Sequence, residues 1–206
     1  MSKRTYSQFC GLAKALDVVG ERWTLLVVRN LLLGPMRYSD LQKSLPGITS
    51  NLLAKRLKEM EENNLLERRR YPASSSPIAY QLTQAGRELE AVIHALGAWG
   101  GRYMDAPQKH DHVNFEWMLI AFKRRYRGGI ALVVELSLGD AQYELQFTPD
   151  RVDIQRGAAL HADLQIGGNL AALRKLLYGK HPLDRMSSGL AIKGDREALE
   201  KLLQTF

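Results

Sequence analysis

At the centre of the N-terminal half the chain reads Leu45-Pro46-Gly47-Ile48-Thr49, with a short helix-forming stretch on either side. Proline fixes its own φ and glycine accepts a positive one, so the pair is a tight corner that neither a helix nor a strand continues through. Upstream, Ser39-Asp40-Leu41-Gln42 has the spacing of a capping box, which predicts that the Ser39 hydroxyl accepts from the Gln42 amide. That helix ends at Leu45. Downstream, Thr49 or Ser50 supplies a second N-cap for a helix to about Asn63, with Leu53, Leu57 and Met60 inward. Two short helices around a tight corner plugged by Ile48 form a helix-turn-helix.

The flanking chain extends the pattern. Leu12, Ala15, Leu16 and Val19 share one helical face before Gly20, and Trp23–Leu33 is an almost wholly apolar helix stopped by Gly34-Pro35. Residues 66–71 and 78–82 read as strands of a hairpin, with its tip at 72–77. Thr83 then caps a long helix to about Met104, whose apolar stripe includes Leu89, Val92, Leu96, Trp99 and Tyr103. That stripe is wide for the last helix of a small domain, and a second subunit is its natural cover. Residues 1–105 are thus read as one domain and the polar, proline-containing 106–113 as a linker. Residues 114–206 are an α+β domain: a helix from Asn114, strands at 130–138, 142–148, 151–156 and 162–166, a helix at 169–178, a short helix at 182–188, a strand at 190–193 and a last helix capped by Asp195.

Charge narrows the partner. The 206 residues carry 29 Lys and Arg against 22 Asp and Glu, a net +7. Of this, +5 falls on 1–107 (15 against 10), which points to a polyanion, nucleic acid before membrane. The single cysteine, Cys10, excludes an intrachain disulfide and a Cys-rich zinc site, and suits a reducing, cytoplasmic compartment. Apolar runs are too short to span a bilayer, and the first residues lack the apolar core of a secretory signal. No cofactor or metal is expected, because His110-Asp111-His112 has no further clustered ligands. No set of nucleophile, base and orienting group stands out, so the chain does not read as an enzyme.

Several linked segments resemble the HxlR-type regulators, which are MarR-like winged helix-turn-helix proteins. Leu16-Asp17-Val18-Val19-Gly20-Glu21-Arg22-Trp23 is similar to that family's "L-D-x-I-G-x-K-W", and Gly34-Pro35-Met36-Arg37-Tyr38-Ser39-Asp40-Leu41 to its "G-x-x-R-F-x-E-L". Leu45–Thr49 matches "I-P-G-I-S", Leu53–Glu61 matches "L-x-x-R-L-x-x-L-E", and Tyr80–Thr83 matches "Y-x-L-T". The resemblance implies a homodimeric, cytoplasmic, DNA-binding transcriptional regulator on a palindromic operator, paired through the first and last helices of the domain, including Leu12. The second half resembles, with fewer residues, sterol-carrier-protein-like domains through Ala162–Ile166, Leu190–Asp195 and the closing helix. That implies a tunnel for a small hydrophobic ligand. The rival from another class is a lipid-carrier protein whose helix-turn-helix serves as an interaction module.

The candidate DNA-reading residues follow from the second helix. With Leu53, Leu57 and Met60 inward, 100° per residue turns Asn51, Lys55 and Lys58 outward, with Ser50 and Arg56 on the flanks. Arg68 and Arg70 of the wing, and Arg37 and Ser39 at the preceding helix start, suit phosphates. Charged residues in such places also occur simply as a solvated helix face and a protected strand edge. Cys10 lies where HxlR-type proteins often carry a cysteine that in some members senses oxidants or electrophiles, although Gly11 stands in place of the usual proline. A small packed thiol is the alternative. Trp117, Phe122, Ile130, Leu132, Val134, Leu164, Ile166, Leu173 and Leu176 are candidates for a cavity wall and, equally, for a plain core.

Overall fold

The computed structural model describes residues 5–70, 78–106, 108–178 and 189–205. The wing tip at 72–77 and the short helix expected at 182–188 lie outside the described residues. Two compact units divide the chain, Met1–His112 and Val113–Phe206.

The first unit runs α1 (Gly11–Val19), α2 (Thr24–Leu31), α3 (Tyr38–Ser44), α4 (Ser50–Glu62), β1 (Leu66–Arg70), β2 (Ile78–Leu82) and α5 (Gln84–Gly100), with a 3-10 turn at Gly101–Tyr103. Its core is built where these elements meet: Val27, Val28 and Leu31 of α2, Leu41 of α3, Leu53, Leu57 and Met60 of α4, and Leu66 and Leu82 of the hairpin are all buried. The expected inward face of α4 is therefore the observed one. Thr49 is its N-cap, accepting from the Leu52 amide at 3.3 Å. Thr83 caps α5 the same way, accepting from Gly86.

The corner at Pro46-Gly47 is a hydrogen-bonded turn, with the Ile48 amide donating to the Leu45 carbonyl at 3.2 Å and Gly47 at φ +89°. Pro at the second position and a positive φ at the third are the requirements of a type II turn. Ile48 is buried beneath it.

Three local expectations are corrected. The capping box does not form: α3 is entered through Arg37 with no side-chain cap, Ser39 donates to Asp40, and Gln42 turns instead to Ser50. The second helix offers Gln42 a stronger partner at 2.6 Å than its own helix start does. On α1 the face toward the core is Ala13 and Val19, whereas Leu12, Ala15 and Leu16 face out. The 3.6 period located an apolar stripe there but not which side the core occupied. On α5, Leu89 and Ile93 pack against the core, so Leu89 is not part of the exposed stripe.

In the second unit α6 (Phe115–Lys123) precedes β3 (Leu132–Leu138), β4 (Ala141–Phe147), β5 (Val152–Arg156) and β6 (Leu164–Gly168). Helix α7 (Leu170–Tyr178), β7 (Leu190–Gly194) and α8 (Arg196–Gln204) complete it. The five strands form one sheet in the order β5-β4-β3-β6-β7, antiparallel except for the parallel pair β3–β6. Alternation decides which face is covered: Val134, Leu136, Tyr143, Leu145, Phe147, Ile154, Leu164 and Ile166 are buried. Asn114 and Asp195 cap α6 and α8 through their side chains. Behind α6, Arg156 grips Glu116 with two hydrogen bonds of 2.6 Å, and the Tyr143 hydroxyl donates to the same carboxylate.

Between sheet and helices lies a cavity of about 20 Å³ lined wholly by apolar side chains, among them Phe122, Val134, Ile166 and Leu176. That is room for about one water, against the several hundred Å³ of a ligand pocket. The other candidates do not line it. Leu164 and Leu173 are fully buried core, and Trp117, Ile130 and Leu132 are half-buried beside it.

Candidate nucleic-acid interface

The outward face of α4 is an exposed cationic surface of the helix-turn-helix. Asn51 is exposed at the first turn, with Lys55 and Lys58 following at helical spacing, their side chains 60% and 78% exposed. Among the described residues each lysine has one loose partner one turn on, Glu59 at 3.8 Å and Glu62 at 3.9 Å. Exposed pairs of this length hold little energy, so a phosphate can replace the carboxylate at small cost.

Ser50 is exposed but engaged. Its hydroxyl accepts from Gln42, and its carbonyl accepts from the Tyr38 hydroxyl at 2.8 Å. These two bonds fix the start of α4 to α3, and Asn30 performs a similar task one layer below by donating to Ser44. The placement of Gln42 and Tyr38 was missed in the sequence. Gln42 had a plausible local partner in Ser39, and no spacing rule reports a bond between two helices.

Arg56 does not belong to the outward face. It is 4% exposed, and its guanidinium lies between Glu59, three residues on, and Glu21 in the link between α1 and α2. The helical wheel put it on the flank, and a carboxylate pair drew it inward.

The hairpin carries the remaining arginines. Arg68 meets Glu61 of α4 through two contacts of 3.0 and 2.9 Å, and this carboxylate raises its already high pKa. Arg68 therefore braces the wing against α4. Arg69 pairs loosely with Glu67 at 3.4 Å. Arg70 is exposed and, among the described residues, has no side-chain partner. A further strand-like contact anchors the wing: Met36 and Tyr80 exchange backbone hydrogen bonds of 3.0 and 2.8 Å. Arg37, next to Met36, is half-exposed, and Ser39 is exposed at the start of α3. Arg37, Asn51, Lys55, Lys58 and Arg70 are thus cations or donors that the fold leaves accessible.

Two further features frame this surface. Phe9, Leu12, Val92, Leu96, Trp99 and Tyr103 are exposed large apolar side chains on and beside α1 and α5, with Trp99 and Tyr103 in ring contact at 4.9 Å. Cys10 is exposed at the N-cap of α1, where the Ala13 and Leu12 amides lower its thiol pKa. Among the described residues no group of three metal-ligating side chains gathers, and no helix is long and apolar enough to cross a membrane.

Comparison with known proteins bears on the first unit. The family model described as HxlR-like helix-turn-helix matches residues 18–108. The HTH-type transcriptional regulator YodB of Bacillus subtilis is 33% identical over 94 residues, which is 46% of this chain and 84% of YodB. An uncharacterised HTH-type transcriptional regulator of Mycobacterium bovis is 39% identical over 97 residues, 47% of this chain and 61% of its own length. Among solved structures, the reduced form of YodB from B. subtilis is 31% identical, with a TM-score of 0.42, covering 49% of this chain and all of that one. Each of these matches spans about half of the chain.

Proposed function

The chain belongs to the HxlR-like helix-turn-helix family, and from that premise we propose that it is a sequence-specific, homodimeric DNA-binding transcriptional regulator. The observation that carries this reading is the outward face of α4. An exposed Asn at the first turn and two loosely paired lysines below it stand on a helix whose start is fixed by Gln42 and Tyr38. A recognition helix enters the major groove by its N-terminal end, where Asn51 and Lys55 would meet base edges. Lys58, Arg70 and Arg37 would hold phosphates, with Ser39 and Arg68 at the margin. Arg56 has no direct part in this.

The exposed apolar face of Leu12, Val92, Leu96, Trp99 and Tyr103, extended by Phe9, supports a homodimer. Burying such side chains against a second copy removes them from water, and two copies related by a twofold axis would read a palindrome. The experiment is selection of duplexes from a random pool, followed by titration of the Asn51→Ala and Lys55→Ala variants. Both should bind the selected duplex more weakly, and Asn51→Ala should relax the preference at one base position. Undiminished specific binding by both would remove α4 as the reading element.

A second reading concerns Cys10, because its exposure and its lowered pKa favour a thiolate, the reactive form. Oxidation or alkylation there would act beside the apolar dimer face. For the second unit the proposal is a sterol-carrier-like α+β module. It is supported by the element order, a five-stranded sheet followed by the closing helix α8; the cavity of about 20 Å³ among the described residues is too small to hold a lipid as it stands. Mass spectrometry of the purified protein for a retained apolar molecule tests this.

A further inference from the structure

Among the described residues, polar tethers hold the recognition helix at three places along its length, and they come from different elements. Its first turn is tied to α3 through Ser50, and its last turn to the wing through Glu61 and Arg68. The middle tether reaches outside these elements, to the link between α1 and α2. There the Glu21 carboxylate accepts from the Arg56 guanidinium at 3.1 Å across 35 residues of chain.

Four observations make this tether unusual. Arg56 is buried, and its Nε has no hydrogen-bond partner. A buried guanidinium short of one bond depends on the carboxylates that remain. Among the described residues two meet it: Glu59, which turns with α4, and Glu21, which does not. Two residues beyond Glu21, Trp23 adopts φ +79°, a left-handed conformation that a bulky residue holds only where its surroundings enforce it. Finally, the Trp23 ring stands against the corner of the helix-turn-helix, 3.8 Å from where a Cβ on Gly47 would be. The link thus touches both the body of the recognition helix and the turn that leads into it.

We infer that Glu21 is a positioning residue for DNA reading: through Arg56 it fixes the roll of α4 about its own axis, and so the direction in which Asn51 and Lys55 point. The inference rests on the DNA-binding reading above. The end tethers run through Ser50 and Glu61, and the Arg56–Glu21 pair adds the restraint on roll at the middle of α4. Side-chain tips lie about 5–6 Å from a helix axis, so a roll of about 10° moves them by about 1 Å. A shift of that size spoils a hydrogen bond to a base edge but leaves a phosphate contact within reach. Glu21 is itself half-exposed, and among the described residues its ion pair is with Arg56 and not with Lys55 or Lys58.

The test uses the full chain and the variants Glu21→Gln, which keeps an acceptor for Arg56, and Glu21→Ala, which does not. Affinities for a selected duplex and for a scrambled duplex of equal length are measured at one salt concentration. Amide exchange of residues 20–23 and 50–62 is followed in the free protein. Glu21→Ala should lower the ratio of specific to non-specific affinity about tenfold, the worth of a good base contact. Non-specific affinity should stay within about twofold, being set by phosphates. Exchange should quicken in both segments, and Glu21→Gln should fall between Glu21→Ala and the wild type. An unchanged ratio overturns the inference, whether exchange quickens or not, because Glu21 would then be only structural. If the wild type itself fails to discriminate the two duplexes, the DNA-binding reading is what fails. The coupling is then decided by exchange alone, with unchanged protection in α4 overturning it.

Discussion

Gly47 isolates one term in the stability of the helix-turn-helix. Its φ of +89° belongs to a type II turn, and a Cβ added there meets no atom closer than the Trp23 ring at 3.8 Å, an ordinary contact. Replacement by alanine therefore costs backbone strain without a clash. A left-handed conformation disfavours an L-residue by about 1–2 kcal/mol. Against this, alanine restricts the unfolded chain and recovers about 0.4–1 kcal/mol. The net loss should be about 1 kcal/mol, roughly a fivefold change in the folding equilibrium. Gly47→Asn should cost less, because asparagine tolerates the left-handed region. Gly86→Ala should cost more than either: its Cβ would stand 2.0 Å from the Leu65 carbonyl oxygen, and α5 would have to move off the start of the wing. Urea unfolding followed by Trp23 fluorescence, with Trp99 and Trp117 replaced by Phe, measures the order. The midpoints should fall in the sequence Gly47→Asn, Gly47→Ala, Gly86→Ala at constant slope. A Gly47→Ala variant as stable as the wild type, or an asparagine variant worse than alanine, would refute the turn assignment.

Other perturbations test other parts. Leu96→Asp or Trp99→Asp places a charge in the proposed subunit contact; sedimentation should show a monomer, and a persisting dimer would place the contact elsewhere. Cys10→Ser should abolish any release of DNA by diamide or quinones, and unchanged release would end the sensing proposal. Burial and the neighbouring Glu116 push the Tyr143 phenol from 10.0 up to about 12, and burial pushes Tyr178 likewise to about 12. A raised folded-state pKa means that the folded protein holds these protons longer. The stability this brings is complete below pH 10 and lost as the pH rises through 12. The double variant Tyr143→Phe/Tyr178→Phe should flatten the fall in urea midpoint over that window; an undiminished fall would assign it to other groups.

How far the sequence could be read depended on the range of the interaction. The corner at Pro46-Gly47, the Thr49 and Thr83 caps and the inward trio Leu53, Leu57 and Met60 are set by residues within a few positions of one another, and the pattern contained them. Ser39 and Gln42 obeyed the same kind of rule and still failed, because Ser50 on another helix was the better partner for Gln42. Arg56 was misplaced for a related reason: a helical wheel gives a direction, and Glu21, far away in sequence, decides whether a charged side chain is drawn in. On α1 the stripe of Leu12 and Leu16 was visible, but an apolar stripe that the fold leaves exposed looks the same in sequence as one made for a core. In the second unit the strands were legible from their alternation. The parallel pairing of β3 with β6 was not, since it joins strands separated by a hairpin and β5.

Binding to a selected palindromic duplex as a function of salt tests the central claim most directly. A dimer that neutralises about six to ten phosphates should lose roughly 10³–10⁵ in affinity between about 50 and 200 mM salt, with log K linear in log salt. Removing Lys58 should reduce that slope by about one per protomer and leave the sequence preference intact. The expected result is a stoichiometry of two chains per duplex, a steep slope and a preference that Asn51→Ala weakens. A shallow slope with equal affinity for scrambled DNA would contradict it.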